Sequence, residues 1–150
     1  MSNKQEDIVK TFALATCVGL VFYSMRARVL GMAHIQLPNS KTATDRNPAR
    51  YADAAPGYML SEMTRAYGLT KGEILVSLYG GISGRSDDYF RIGEKNVGEV
   101  KRALARLGLA YSDVDTGGND SRTLIAYVSS GIVEVIRRPM NPRGVPGNRF

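Results

Sequence analysis

Residues 18–37 read VGLVFYSMRARVLGMAHIQL and contain two apolar runs separated by a short polar segment. Such runs predict strands over 18–23 and 29–37, and Pro38 closes the second because it has no amide proton for a ladder. The segment between them, 24–28, is short enough for the two strands to form an antiparallel hairpin. We therefore expect these two runs to form an antiparallel hairpin.

Further strands and two helices extend outward from this hairpin. The other predicted strands cover 8–14, 73–79, 109–114, 123–128 and 132–137. The first helix is predicted to begin near Asp53 as N-cap and to end at Gly68. Its apolar positions recur at helical spacing: Met59, Leu60, Met63 and Tyr67. The second helix has the pattern Val97, Val100, Leu104 and Leu107 and ends at Gly108.

These elements predict one α+β domain, a layered α/β sandwich of mixed β-sheets flanked by two main helices. A chain of 150 residues is long enough for one ordinary domain. We expect this domain over residues 1–138. Residues 139–150 contain three prolines and two glycines and are expected to form a flexible C-terminal tail.

Composition narrows the function classes. The chain carries a net charge of +6, but acidic residues lie among the basic ones, so we do not expect a nucleic-acid partner. No apolar run approaches the ~20 residues that a membrane helix needs, and the N-terminus is no signal peptide, so no membrane insertion is expected. A single cysteine fits a reducing, cytoplasmic location. One Cys and one His are too few ligands for a zinc site.

The single cysteine, Cys17, and the single histidine, His34, both lie at the predicted hairpin. A two-residue loop at Met25-Arg26 would place them directly opposite each other. A loop longer by two residues would keep them on one face as a diagonal pair, and a change of one residue would separate their faces. The turn lacks Gly, Asn and Asp, so its type stays open.

These two residue types suit nucleophilic catalysis. A thiol with a pKa near ~8.5 is mostly protonated at neutral pH, and a neighbouring imidazole can take its proton and pass it to a leaving amine. A third group that orients the imidazole would complete the arrangement. The competing interpretation is structural, since a lone cysteine is usually a small buried hydrophobe and a lone histidine on a strand is usually a satisfied core residue.

Six short motifs follow one another along the chain: Thr11-Phe-Ala-Leu-Ala-Thr-Cys17-Val, Gly31-Met-Ala-His34-Ile-Gln-Leu-Pro38, Tyr51-Ala-Asp53, Gly80-Gly81, Ile92-Gly93-Glu-Lys-Asn96-Val97 and Asp115-Thr-Gly-Gly-Asn119. In this order they resemble the chemoreceptor glutamine deamidase family CheD. The resemblance spans about residues 8–137. It implies a fold similar to the cysteine deamidase toxins.

The resemblance also implies an activity and site residues. The family's nucleophile falls on Cys17, its general base on His34, and its third catalytic position, which orients the histidine, on Thr11. Family members convert glutamines of methyl-accepting chemoreceptors to glutamates, some also cleave glutamyl methyl esters, and the phosphatase CheC is their usual regulatory partner. No cofactor is implied. The backbone amides of Thr16 and Cys17 are candidates for stabilising the oxyanion.

Two departures favour an alternative from another class. Ala15-Thr16 stands where the family commonly has Gly-Ser, and few residues precede Ile8, where the family usually has an additional strand. A chain with these changes could keep the fold and act mainly as a regulatory binding module for CheC or a receptor.

Overall fold

A computed structural model describes residues 1–41, 46–83 and 89–140. Within these ranges the chain forms seven strands and two α-helices. In chain order they are β1 (Ile8–Leu14), β2 (Val18–Ser24), β3 (Val29–Ile35), α1 (Ala55–Tyr67), β4 (Leu75–Gly80), α2 (Ile92–Arg106), β5 (Ser112–Thr116), β6 (Asp120–Tyr127) and β7 (Val133–Pro139).

The strands form two sheets. The inner sheet has four strands in the order β3-β2-β4-β5, of which only the β4–β5 pair is parallel. The outer sheet has three antiparallel strands in the order β1-β6-β7. The two helices pack on the inner sheet. The expected α+β layered architecture with a mixed sheet is therefore confirmed.

Each face of the inner sheet buries its own apolar core. The core toward the helices contains Phe22 and Leu78 of the sheet together with Met63 and Leu104 of the helices. The core toward the outer sheet contains Val21, Leu30, Leu124 and others. The alternation along β2 explains this division, because successive side chains of a strand point to opposite faces. Both faces of β2 are covered, so all seven of its residues are buried.

The register of the β2–β3 hairpin corrects one of the expected geometries. Gly19 pairs with His34 and Ser24 with Val29, so the turn contains four residues, Met25–Arg28, and not two. Cys17 and His34 are therefore not directly opposite. They take the diagonal arrangement that a loop longer by two residues produces. The last residue of the turn, Arg28, has a positive φ of 48°. This conformation is uncommon for a residue other than glycine, so the sequence does not predict it.

Other expected boundaries also change. Asp53 is not the N-cap of α1, which is Ala54; the Asp53 carboxylate instead accepts hydrogen bonds from the amide and hydroxyl of Ser40. The strand expected over 109–114 forms later, at Ser112–Thr116. Gly68 ends α1 in the left-handed conformation, as expected. Of the expected tail, Pro139 still belongs to β7, and residues 141–150 lie outside the described residues.

Candidate functional site

His34 projects from β3 into the space between the two sheets. Its cross-strand neighbour is Gly19, and a Cβ on Gly19 would lie 2.6 Å from Leu124 in the outer sheet. The sheets thus approach closely beside His34 because this position lacks a side chain. Thr11 of β1 reaches across the gap, and its Oγ1 lies 2.8 Å from His34 Nδ1. This hydrogen bond leaves Nε2 as the ring nitrogen that can exchange a proton with another group.

A β-bulge in β1 directs Thr11 inward. Thr11 pairs with Leu124 and Leu14 pairs with Arg122, so Phe12 and Ala13 together oppose the single residue Thr123. Ala13 has a positive φ of 51°, which a side chain adopts only at some cost in energy. The extra residue puts both Thr11 and Leu14 on the buried face and leaves Phe12 and Ala13 exposed. An unbulged strand could not bury both, since residues three apart alternate in direction.

Cys17 lies in the bend formed by residues 15–17, between β1 and β2. It packs beside the core between the two sheets, so Cys17 and His34 are on the same face of the inner sheet. In a regular ladder the Cα atoms of such a diagonal pair are about 7–8 Å apart. The thiol is partly exposed. The structure thus joins Thr11 to His34 by a hydrogen bond and places Cys17 on the same face of the inner sheet.

Hydrogen bonds to the carbonyl groups of its three residues hold the bend in place. The Ile82 amide donates to the Ala15 carbonyl at 2.8 Å, and the Gly81 amide donates to the Cys17 carbonyl at 2.8 Å. The Thr16 carbonyl accepts from Asn96 Nδ2 at 3.0 Å. Among the described residues, no protein acceptor takes a hydrogen bond from the amide of Thr16 or Cys17. Neither amide is thus used in holding the bend.

Burial sets the protonation of the pair. Burial raises the pKa of the Cys17 thiol above its ordinary value. Burial also lowers the pKa of the His34 imidazole below its ordinary value. Both shifts favour the uncharged form, because a charge loses solvation in a low-dielectric site. At neutral pH the resting pair is a thiol and a neutral imidazole.

A buried arginine supports the turn on the far side of the site. Arg122 is only 4% exposed, donates to the Gly117 carbonyl and forms an ion pair with Asp115. The Gly117 amide in turn donates to the Gly80 carbonyl at 2.9 Å, next to Gly81, which holds Cys17. Burial by itself would raise the pKa of Asp115, but the hydrogen bonds from Arg122 and Arg137 outweigh it and lower that pKa.

The sequence alone gives no role to two of these supporting residues, Asn96 and Arg122. The only signal for Asn96 is an amide at a position where the apolar stripe of α2 would take a hydrophobic residue. The burial of Arg122 has no signal in the sequence, since an arginine in a strand ordinarily indicates a solvent-facing position.

The described residues contain neither a grouped set of metal ligands nor a helix that could cross a membrane. In residues 1–41, 46–83 and 89–140, no three His, Cys, Asp or Glu side chains are grouped closely enough to share a metal ion. None of the helices in these ranges combines the length and apolarity needed to cross a membrane.

Comparison with known proteins gives consistent results. Residues 36–137 match the family model described as CheD, chemotactic sensory transduction. This match begins after His34, so it does not itself cover Thr11, Cys17 or His34. Three similar relatives carry the name probable chemoreceptor glutamine deamidase CheD.

The relative from Syntrophotalea carbinolica is 34% identical over 90% of this chain and 86% of its own length. The relative from Pyrococcus abyssi is 35% identical over 89% and 83%, and that from Geobacillus kaustophilus is 35% identical over 86% and 82%. Both the family model and the relatives cover most of the chain. The chain therefore belongs to the CheD family.

Proposed function

We propose that this protein is a glutamine deamidase that converts specific glutamine side chains of chemoreceptors to glutamate, with Cys17 as nucleophile, His34 as general base and acid, and Thr11 orienting His34. The substrate class is taken from the names of the relatives. The observation that carries the chemistry is the 2.8 Å hydrogen bond between Thr11 Oγ1 and His34 Nδ1. It fixes the plane of the imidazole and reserves Nε2 for proton transfer.

The first half of the reaction forms a thioester. As Cys17 Sγ attacks the carboxamide carbon, His34 Nε2 takes the thiol proton. The carbon–nitrogen bond then breaks while His34 returns that proton to the departing nitrogen, and ammonia leaves. The neutral resting pair suits this sequence, because the imidazole must be unprotonated to accept the proton.

The second half hydrolyses the thioester. His34 takes a proton from water as the water oxygen attacks the acyl carbon. The carbon–sulfur bond breaks, Cys17 leaves as a thiol after receiving the proton, and the side chain is released as glutamate. In both halves the amides of Thr16 and Cys17 hold the oxyanion, a role typically worth about 3–4 kcal/mol per donor.

The same site chemistry extends to methyl esters, since methanol is an easier leaving group than ammonia. We propose in addition that the protein cleaves glutamyl methyl esters and is regulated by binding of CheC. Each needs its own substrate or partner assay, with methanol release as the readout for the ester.

The proposal is tested with a purified chemoreceptor cytoplasmic fragment. Wild-type protein should release ammonia and raise the mass of the target peptide by about 1 Da, the difference between amide and acid. Cys17→Ala should release none while keeping its thermal melt close to wild type. Turnover by Cys17→Ala at the wild-type rate would refute the nucleophile. Receptor binding by wild type without any ammonia release would favour the regulatory binding module.

A matched pair of variants tests Thr11. Thr11→Val removes the hydroxyl at constant shape, and Thr11→Ser keeps it. Because a general base contributes roughly 10²–10⁴-fold and only its alignment is lost, Thr11→Val should lower kcat by about 10- to 100-fold. Thr11→Ser should stay within about threefold of wild type. A loss in Thr11→Ser together with wild-type activity in Thr11→Val would show that the methyl group, and not the hydroxyl, matters.

A further inference from the structure

Asn96 is a fully buried polar residue on the apolar face of α2. It is 0% exposed and shares that face with Gly93, Val100, Ala103 and Leu104. Burying an amide costs free energy unless it is hydrogen bonded, and a leucine would fit the helical pattern better. An amide at this position therefore requires a reason.

Its side-chain nitrogen joins two segments of the candidate site. Asn96 Nδ2 donates to the Thr16 carbonyl at 3.0 Å and to the Gln36 carbonyl at 3.1 Å. Thr16 immediately precedes Cys17, and Gln36 lies two residues after His34. Both amide protons are thus used on the backbone next to the two reacting residues. Asn96 Oδ1 has no partner within the described part of the chain, so the residue acts here only as a double donor.

The bond to Thr16 sets the direction of the Cys17 amide. The Thr16 carbonyl and the Cys17 N–H belong to one planar trans peptide unit, in which the two groups point in opposite directions. Asn96 approaches from the helix side of the inner sheet and draws the carbonyl that way. The Cys17 N–H is then turned toward the opposite face, where Cys17 and His34 pack between the sheets.

We infer that Asn96 is a positioning residue that orients the Thr16–Cys17 peptide so that the Cys17 amide can donate to the oxyanion. This inference rests on the proposed function. The role differs from general packing, because both hydrogen bonds of Asn96 end on backbone carbonyls and neither involves the thiol or the imidazole.

The test compares three variants. Asn96→Leu removes both donors at similar volume, and Asn96→Asp keeps the shape but faces two carbonyl oxygens with a carboxyl group. Val100→Ala, on the same buried face of α2, weakens the packing but removes no hydrogen bond to the bend, and it serves as the stability control. All are assayed at a temperature where each is folded by circular dichroism.

Asn96→Leu and Asn96→Asp should lower kcat by about 10²-fold, the loss expected for one oxyanion donor, with KM within about threefold of wild type. Alkylation of Cys17 by iodoacetamide, which builds no oxyanion, should keep its wild-type rate. Val100→Ala should keep the wild-type kcat. A kcat loss in the Asn96 variants no larger than in Val100→Ala would overturn the inference.

A crystal structure of Asn96→Leu separates this inference from the proposed function. The Thr16–Cys17 peptide should be rotated relative to wild type, and an unmoved peptide would overturn the positioning role whatever the activity. Absence of ammonia release from wild-type protein would instead refute the proposed function, and the peptide orientation would still decide the role of Asn96.

Discussion

The protonation states of Cys17 and His34 follow from their shared burial between the sheets. Burial raises the pKa of the thiol and lowers that of the imidazole, so each shift opposes a resting thiolate–imidazolium pair. No cationic side chain of the described residues is hydrogen bonded or ion paired to Cys17. The proposed nucleophile is therefore activated during the attack by proton transfer to His34, and not beforehand.

This arrangement predicts a specific pH dependence. The neutral imidazole is the active form, and its pKa is lowered, so kcat/KM should fall on the acid side with a midpoint below about pH 6.5, the ordinary value for histidine. Iodoacetamide alkylation of Cys17 should keep rising above about pH 8.5, because the thiol pKa is raised. The measurements are initial rates of ammonia release and the rate of alkylation against pH. Alkylation already at its plateau in neutral buffer would indicate a resting ion pair, and an acid midpoint above neutrality would contradict the lowered pKa of His34.

The β1 bulge is the element that brings Thr11 to His34, and its strain predicts opposite effects of two substitutions. Ala13 is exposed with a φ of 51°. Ala13→Gly relieves the strain but adds freedom to the unfolded chain, so it should leave stability unchanged or raise it by up to about 1 kcal/mol. Ala13→Val, β-branched at a positive φ, should lower stability by about 1–3 kcal/mol. Urea denaturation measures both. Equal stability of the two variants would contradict the strain.

The strands and helices also show how much of the fold could be predicted from the sequence. Strand and helix positions could be predicted because their apolar patterns are regular, as at Ile8–Leu14, where the expected and observed bounds coincide. The register of the β2–β3 hairpin could not be predicted, because the Met25–Arg28 turn contains no residue that specifies its length. The positive φ of the turn falls on Arg28 and not on a glycine. The bulge is equally hidden, since Phe12 and Ala13 carry no Gly to mark it.

The residues of the candidate site could also be predicted from the sequence only in part. Cys17 and His34 could be singled out because each is the only residue of its type in the chain. Thr11 could be assigned only through the family resemblance, because hydroxyl side chains are common on strands. The sequence gives Asn96 no role, because its partners are backbone carbonyls brought close by folding. Contacts of this kind depend on tertiary structure and leave no local pattern.

At the scale of the whole molecule, the helix layer supports the site from the opposite face of the inner sheet. Helix α2 lies directly against the segment after β4, and a Cβ on Gly93 would lie 1.9 Å from the Ile82 carbonyl oxygen. The amides of Gly81 and Ile82 hold the carbonyls of Cys17 and Ala15. Any displacement of α2 from the sheet would therefore move the backbone that carries the proposed nucleophile.

Two glycines of α2 provide a matched test of this coupling. Gly93→Ala should lower stability by about 1–3 kcal/mol, because the added methyl group clashes with backbone that cannot move aside. Gly98→Ala, with only the Arg102 guanidinium nearby at 3.6 Å, should raise stability by about 0.5–1 kcal/mol, the usual gain of alanine over glycine within a helix. Under conditions where both variants are folded, Gly93→Ala should also lose deamidation per folded molecule, whereas Gly98→Ala should keep it. Unchanged kcat in Gly93→Ala would show that the bend at Cys17 is held without the helix layer.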